Sequence, residues 1–173
     1  MANNFKTSRQ NNAKKISINE KPRQQGKKEE KSFDYTERLI DWITFYRRNI
    51  HRAVQHYLQL DMHLYQSILL YFMNLCPLVV IVACRATSKS FVIAVFACIK
   101  AILYPNSLIV IASATKKQAS LIVTEKIVKE LMPNSPNLRR EIKNIKTSGN
   151  ETEVMFVNGS SIVVVPATDN ARG

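Results

Sequence analysis

Two continuous apolar segments constrain the fold of this chain more than any other feature of its sequence. They span residues 78–84 and 108–114 and are rich in β-branched side chains, as strands are. Helix-length patterns follow them at residues 91–103 and 115–131, so the order is strand, helix, strand, helix. Continuous apolar strands are typical of a parallel sheet covered by helices on both faces. We therefore expect an α/β fold with three layers.

Two local signals refine the second half of the chain. Thr115 and Gln118 have the spacing of a capping box, which predicts that the second helix begins at Thr115. Asn158-Gly159 lies between two segments of strand character, residues 151–157 and 161–165. This dipeptide is a strong signal for a tight turn between antiparallel strands. The sequence therefore predicts a hairpin after the second helix.

Positive charge is concentrated at the N-terminal end. The chain carries 25 Lys and Arg against 13 Asp and Glu, a formal net charge of +12 in 173 residues. Residues 1–32 hold nine of these basic residues, only three glutamates and few apolar side chains. Such a segment cannot offset its ordering entropy by apolar burial, so we predict a disordered basic arm. The arm captures nucleic acid by counterion release, or it is a solubilising tail, and the sequence leaves both open.

The rest of the chain divides into a helical leader and a domain. Residues 33–74 have a helical apolar pattern that predicts two or three amphipathic helices, and residues 75–173 form the domain. The apolar run at residues 68–84 is near the lower limit of about 17 residues for a membrane span. Asn74 and Pro77 interrupt it, so we predict no membrane association. No secretory signal pattern precedes it, and we expect a cytoplasmic protein.

Cysteine and histidine usage shows no metal-binding pattern. Cys76, Cys84 and Cys98 lie among apolar neighbours without a CxxC pair, which predicts buried free thiols. The three histidines lack the spacing of a zinc motif. We therefore expect no metal to be held by these side chains.

The segment between the first strand and its helix is the predicted functional site, because ligands of open α/β sheets bind beyond the carboxyl ends of strands. It reads Arg85-Ala86-Thr87-Ser88-Lys89-Ser90. A phosphate loop needs backbone N–H groups, a Lys for the β- and γ-phosphates and a hydroxyl for Mg²⁺ at a helix N-terminus. Lys89-Ser90 fits this placement, but Ala83 and Ser88 replace both glycines of the pattern. The alternative is a polar N-cap followed by a surface lysine.

Several short blocks occur in one collinear order from about Phe45 to Gly173. They are Phe45-Tyr46-Arg47-Arg48-Asn49 with His51-Arg52, Tyr65-Gln66, the loop Cys84 to Ser90, Ile109 to Ser113 leading into Gln118-Ala119, Asn158-Gly159-Ser160 and Asn170-Ala171-Arg172-Gly173. In this order they resemble the large terminase subunit of tailed bacteriophages. The similarity is to the N-terminal part of its DNA-packaging ATPase.

The resemblance implies an incomplete P-loop NTPase fold with a RecA-like, three-layer parallel sheet, preceded by helices and the basic arm. It implies an ATPase that drives double-stranded DNA into procapsids. The implied partners are double-stranded DNA, the small terminase subunit and the portal. The implied location is the cytoplasm of a phage-infected or prophage-bearing bacterium.

The resemblance also implies residue roles for ATP and Mg²⁺. Lys89 holds the β- and γ-phosphates, and Ser90 binds Mg²⁺. Arg85 matches the arginine within the family's phosphate loop and is the second catalytic residue with Lys89. Gln66 matches a glutamine that recognises adenine. The remaining loop residues, Ala86, Thr87 and Ser88, surround the phosphates, and Arg172 has no assigned role.

Departures from the family pattern limit the expected activity. Ser88 replaces the glycine before the lysine, and its side chain should crowd the ligand or widen the loop. The segment that supplies an Asp for magnesium and a Glu for the attacking water would follow Gly173, and so would the nuclease domain. We therefore expect a truncated subunit that hydrolyses ATP negligibly alone. The alternative function is a basic DNA-binding or packaging-accessory module with a vestigial phosphate loop.

Overall fold

The computed structural model describes residues 35–147 and 152–167 and has a mixed α/β fold. Its helices are α1 (Tyr35–Arg48), α2 (Ile50–His56), α3 (Leu64–Leu75), α4 (Lys89–Leu103), α5 (Lys116–Leu121), a π-helix (Ile122–Leu131), α6 (Met132–Asn134) and α7 (Pro136–Glu141). Its strands are β1 (Leu108–Ser113), β2 (Ile142–Thr147), β3 (Thr152–Phe156) and β4 (Ser161–Pro166). The basic arm predicted at residues 1–32 and Arg172 lie outside the described residues.

The four strands form one mixed sheet in the order β1, β4, β3, β2. β1 and β4 are parallel, with Ile109 opposite Ile162, whereas β3 is antiparallel to both β4 and β2. The β3–β4 pair confirms the hairpin predicted at Asn158-Gly159. The predicted parallel pairing is found only between β1 and β4, and the sheet as a whole is mixed because the hairpin joins antiparallel neighbours.

The sheet buries one face. Its buried apolar side chains are Ile111, Val154, Phe156, Ile162 and Val164. On the opposite face of β1, Leu108 and Val110 are 66% and 54% exposed. Among the described residues the helices therefore cover the sheet on one side.

The predicted first strand does not join the sheet. Residues 78–84 make no backbone hydrogen bond to any strand in the described part of the chain. Leu78, Val80 and Val82 are 81%, 80% and 94% exposed, whereas Val79 and Ile81 are half-buried. This alternation is that of an extended chain. The strand prediction is wrong because β-branched composition favours extended backbone but cannot supply the neighbouring strand that a ladder needs.

The apolar run at residues 68–84 is divided between a helix and this segment. α3 ends at Leu75, and Cys76 is extended, with φ −93° and ψ 136°, just before Pro77. A residue before proline is biased away from helical backbone. Over residues 35–147 and 152–167, every helix is too short or too polar to cross a bilayer.

α4 lies at the centre of the described fold. It contacts α1, α2 and α3 of the leader, and it also contacts β1, β4 and the π-helix. Its buried residues are Val92, Ala94, Val95, Ala97, Cys98, Ile99, Ala101 and Leu103. The leader has three helices, at the upper end of the two or three predicted.

The helix predicted to begin at Thr115 is confirmed, and its middle is a π-helix. Thr115 Oγ1 accepts the backbone N–H of Gln118 at 3.3 Å, which caps α5. The wider π turn bonds each N–H to the carbonyl five residues earlier and keeps residues four apart on one face. The buried residues of this face are Ala119, Val123, Ile127 and Leu131.

Only one of the three cysteines is buried. Cys98 lies in the core, where desolvation raises the pKa of its thiol to about 12. Cys76 and Cys84 are exposed, so the prediction of buried thiols is wrong for them. Both flank the segment that lacks a strand partner, and this explains their exposure.

Asn158 connects the hairpin to the end of α4. Its Nδ2 donates to the carbonyls of Ala101 and Ile102 at 2.8 and 3.0 Å. The last carbonyls of a helix have no partner within the helix, so this side chain satisfies two of them. The turn that leads into β4 therefore also caps the C-terminal end of α4.

His51 should make the stability of the fold depend on pH. Its buried Nδ1 has no hydrogen-bond partner, and desolvation, followed by the charge of Arg52, lowers its pKa below 6.5. As the pH falls through 6.5, the imidazole takes up a proton more readily in the unfolded chain than in the folded one. The contribution of neutral His51 to folding stability is therefore present above pH 6.5 and is lost as the pH falls below it. We expect the melting temperature to fall between about pH 7 and pH 5, and to fall less in His51→Gln. The matched control is His63→Gln, at the exposed start of α3. If the melting temperature of His51→Gln changed with pH as much as that of the unmodified chain, the prediction would be contradicted.

Candidate functional site

The loop before α4 closes around the side chain of Lys89. Lys89 Nζ donates to the carbonyl of Ala83 at 2.8 Å, to the carbonyl of Cys84, and to Thr87 Oγ1 at 3.3 Å. Thr87 Oγ1 donates in turn to the carbonyl of Cys84 at 2.8 Å. The ammonium group therefore bonds back to its own loop, and the Lys89 side chain is half-buried.

Two residues of the loop adopt left-handed backbone. Ala86 has φ 65°, and Ser88 has φ 56° and ψ 20°. Ser88 stands where the phosphate-loop pattern has its second glycine, and glycine is the residue that adopts this region without strain. A side chain with a Cβ costs about 1–2 kcal/mol there. Ser88 therefore holds, under strain, a conformation suited to glycine.

The first turn of α4 has no side-chain cap. Ser88 occupies the N-cap position, but its hydroxyl accepts no backbone N–H of α4. The first N–H groups of a helix have no carbonyl partner within it, and the helix dipole places partial positive charge there. A helix start with such uncapped donors favours anions, and Lys89 is the first residue of α4.

A cavity of about 270 Å³ opens beside this loop. Its lining includes loop residues 86–90, Phe91 and Lys126 of the π-helix. Lys126 Nζ lies 2.6 Å from Glu130 Oε2, an ion pair one turn along the same helix. Within the described part of the chain, two ammonium groups and no carboxylate line the cavity, which favours an anion. Its volume is below the roughly 300–1,000 Å³ of pockets that enclose a whole ligand, so it suits phosphate groups.

Sequence reasoning did not identify Lys126. No motif surrounds it, and its approach to the loop depends on the packing of the π-helix against α4. The four-residue spacing of Lys126 and Glu130 signals only an ordinary helix ion pair.

The structure brings together most, but not all, of the predicted site residues. Ala86, Thr87, Ser88, Lys89 and Ser90 line the cavity. Arg85 is exposed and is not part of the lining. Gln66 is 4% exposed in the first turn of α3, where its Oε1 accepts the backbone N–H of His63 at 2.9 Å. In this structure Gln66 therefore stabilises the start of α3 and does not face the loop cavity.

A larger cavity, of about 540 Å³, shares no residue with the loop. It lies between α1 and the end of α4, with mostly apolar lining such as Trp42 and Leu103. Tyr57 in its wall donates a hydrogen bond to Glu141, and burial together with that carboxylate raises the pKa of Tyr57 to about 12. The phenol is therefore protonated at neutral pH and offers no base. The larger cavity has the volume to enclose a whole ligand, but its apolar lining does not suit phosphate. The cavity beside the loop, with its lysines, is the better candidate for phosphate binding.

A basic and aromatic surface lies where α1 meets the end of α4. The Arg47 guanidinium is 4.6 Å from the centre of the Tyr104 ring, and Lys100 Nζ is 4.6 Å from the same ring. Arg48 and Tyr71 join Arg47 and Tyr104 around a cavity of about 380 Å³, whose lining has no acidic residue among those that the structure describes. Cationic groups alternating with aromatic rings are typical of surfaces that bind nucleic acids.

Comparison with known proteins assigns no family to this geometry. No protein-family model matches the chain, and no curated protein matches it. The resemblance to large terminase subunits therefore rests on the order of motifs in the sequence.

Proposed function

We propose that this chain binds Mg-ATP through residues 85–90 and is the nucleotide-binding part of a phage large terminase subunit, which packages double-stranded DNA into procapsids. The observation that carries the proposal is the ammonium of Lys89, held inside its loop at the start of α4. A RecA-like P-loop NTPase domain is the fold that accompanies this function.

Each group at the loop has a part in the proposed binding. The Lys89 ammonium contacts the β- and γ-phosphates, and the uncapped N–H groups of the first turn of α4 donate to the phosphate oxygens. The Ser90 hydroxyl binds magnesium, which shields the charge of the phosphates. Lys126 lies close enough to add a second cation at the cavity wall. These donors match the needs of a polyphosphate, and no carboxylate among the described residues lines the cavity.

Residues 78–84 do not pair with the sheet, so the loop does not follow a hydrogen-bonded strand. The proposal therefore depends on the loop geometry and on the motif order. The roles of Arg85 and Gln66, the small terminase subunit and portal as partners, and the bacterial cytoplasm as location depend on the resemblance alone.

Binding without turnover is the expected behaviour of the isolated chain. Among the described residues, no carboxylate lines the loop cavity, and Glu130 is engaged by Lys126. Phosphoryl transfer to water needs a group that orients the water and a complete magnesium site. We therefore expect the isolated chain to bind ATP without hydrolysing it at an appreciable rate.

The experiment is thermal unfolding of the full chain with Mg-ATP. Binding to the folded state raises the melting temperature by mass action. At ATP concentrations of about ten times Kd the gain is about 1.4 kcal/mol, or roughly 3–6 °C for a chain of this size. Mg-AMP is the control, because it lacks the phosphates that Lys89 contacts. An equal rise with AMP and ATP would contradict recognition of the β- and γ-phosphates.

The basic and aromatic surface favours a second candidate function, a DNA-binding or packaging-accessory module. Arg47, Arg48 and Lys100 supply positive charge around Tyr104 and Tyr71. Phosphate contacts by such side chains release counterions from DNA, so affinity falls with salt. In this function the loop at Lys89 is vestigial.

Duplex DNA binding at several salt concentrations tests the second candidate. Arg48→Ala should weaken binding and reduce the slope of log K against log salt by about one. Arg139→Ala, at an exposed arginine of α7, is the matched control. Binding that is unchanged by Arg48→Ala but lost when residues 1–32 are deleted would assign the contact to the N-terminal segment instead.

A further inference from the structure

A second cavity adjoins the cavity beside the phosphate loop. This linker cavity, at the connection between α2 and α3, has a volume of about 350 Å³ and is lined by Gln59, Leu60, Asp61, Phe91, Glu130 and Asn134. Phe91 lines both cavities. Lys126 in the wall of the loop cavity is ion-paired with Glu130 in the wall of the linker cavity, with 2.6 Å between Nζ and Oε2. The two cavities are therefore neighbours, and Phe91 and this ion pair lie at their boundary.

The loop cavity is too small to hold a whole nucleotide. Its volume of about 270 Å³ suits the phosphate groups, so the nucleoside of a bound nucleotide must lie outside it. Pockets that enclose a drug-sized ligand have volumes of about 300–1,000 Å³, and the two cavities together fall within this range. The linker cavity therefore offers the space that the nucleoside needs.

The polarity of the two linings differs as the two halves of a nucleotide differ. In the part of the chain that the structure describes, two lysines and no carboxylate line the loop cavity, whereas the carboxylates of Asp61 and Glu130 line the linker cavity. An ionised carboxylate repels phosphate, but it is a strong acceptor for hydroxyl groups. The linker cavity therefore disfavours phosphate and favours a neutral sugar with hydroxyl donors.

The connection between α2 and α3 presents two polar side chains to this cavity. Leu58 and Leu60 are buried and anchor the connection to the core, and the N–H of Leu60 donates to the carbonyl of Val54 at 3.3 Å. Gln59 and Asp61 alternate with these leucines and are exposed. Neither side chain has a hydrogen-bond partner among the described residues. Their polar atoms are therefore available to a ligand on an anchored backbone.

We propose that the linker cavity binds the ribonucleoside half of the nucleotide whose phosphates lie at the loop. The Asp61 carboxylate accepts hydrogen bonds from the ribose hydroxyls, and the Gln59 amide contacts the base. Phe91, at the boundary of the two cavities, packs against the sugar. Because it rests on the proposed binding of Mg-ATP by the loop, this site adds the sugar and the base to the phosphates.

The base contact falls to the connection between α2 and α3 because Gln66 lines neither cavity. Gln66 is buried in the first turn of α3, where its Oε1 already accepts the N–H of His63 at 2.9 Å. Gln59 lies seven residues earlier and is exposed at the linker cavity. Its amide carries both donors and an acceptor, which suits the polar edge of a base.

The test compares the affinities of the full chain for Mg-ATP and for magnesium tripolyphosphate by titration calorimetry. Tripolyphosphate has the phosphates without the nucleoside and carries more negative charge than ATP, so attraction to the lysines alone would favour it. A nucleoside held in the linker cavity should reverse this order, with ATP binding about tenfold more tightly. Mg-2′-deoxy-ATP, which lacks one ribose hydroxyl, should bind roughly threefold to tenfold more weakly than ATP.

Asp61→Ala should weaken the binding of ATP about tenfold and should not weaken the binding of tripolyphosphate. Removal of a negative charge near a phosphate site by itself strengthens the binding of anions, so a loss of ATP affinity requires a direct contact. Asp41→Ala, which removes an exposed carboxylate of α1 that lines neither cavity, is the matched control. Unchanged or tighter ATP binding in Asp61→Ala would overturn the proposed site.

Gln59→Gly separates a ligand contact from an effect on folding. Gln59 has φ 56°, a conformation that glycine adopts without strain, so the variant should be at least as stable as the unmodified chain. Its affinity for ATP should nevertheless fall roughly threefold to tenfold, with tripolyphosphate unaffected. Asn106→Gly makes the same kind of change at φ 58°, outside both linings, and should keep the ATP affinity. An ATP affinity that is the same in Gln59→Gly as in the unmodified chain would contradict the base contact.

The tripolyphosphate measurement distinguishes failure of this site from failure of the loop. If tripolyphosphate binds to the unmodified chain and not to Lys89→Ala, the loop is a phosphate site whatever the nucleoside does. Tripolyphosphate binding as tight as that of ATP would then overturn the nucleoside site alone. If neither ligand binds, both proposals are overturned.

Discussion

Replacing Lys89 with alanine is expected to abolish most of the rise in melting temperature produced by Mg-ATP. Its ammonium is the group that the loop surrounds, with hydrogen bonds to the Ala83 carbonyl at 2.8 Å and to Thr87 Oγ1 at 3.3 Å. In the proposed complex this ammonium bonds the β- and γ-phosphates, and hydrogen bonds to a charged group contribute about 1.5–3 kcal/mol, so affinity should fall at least tenfold. The rise of roughly 3–6 °C would then shrink to about 1 °C or less.

Two further variants distinguish a phosphate contact from a general effect of charge. Lys129→Ala removes an exposed ammonium from the π-helix, where it pairs with Glu125 at 2.7 Å, and should leave the ATP-dependent rise unchanged. Ser88→Gly restores the missing glycine at a left-handed position and should strengthen binding. The same rise in Lys89→Ala as in the unmodified chain would contradict the proposed site.

Local signals in the sequence predicted those parts of the fold that depend on neighbouring residues. The cap at Thr115 and the turn at Asn158-Gly159 are both confirmed, because each is determined within about four residues. β2 was not predicted, since a bulge between Ile142 and Asn144 breaks the alternation of its side chains. α7 is also absent from the prediction, although Ser135 caps it through the N–H of Leu138 at 3.3 Å.

Contacts between distant segments explain the remaining errors. Residues 78–84 have the composition of a buried strand, but no local signal reveals whether another strand lies beside them. Lys126 approaches the loop only because the π-helix packs on α4, 37 positions after Lys89 in the chain. The sequence therefore predicted the loop of the candidate site but not the wall that faces it.

Replacing Gly159 with alanine is expected to destabilise the hairpin between β3 and β4. Gly159 has φ 83°, a conformation that costs a residue with a Cβ about 1–2 kcal/mol. A Cβ there would also overlap Asn106 Oδ1 and lie 3.4 Å from Asn106 Cγ. Because the overlapped atom is the end of the exposed Asn106 side chain, which can move aside, strain and overlap together should lower the free energy of unfolding by about 1–3 kcal/mol. Denaturant titration of the two proteins measures this difference.

A double-mutant cycle with Asn106→Gly separates the two causes. Asn106 itself has φ 58°, so glycine is accepted there without strain, and its removal eliminates the overlap. Gly159→Ala in the Asn106→Gly background should therefore cost only the backbone contribution, about 1–2 kcal/mol. The coupling between the two sites then measures the steric part directly. If Gly159→Ala lowered the free energy of unfolding equally in both backgrounds, the steric part would be absent. Backbone conformation alone would then require glycine at this turn, which positions Asn158 against the end of α4.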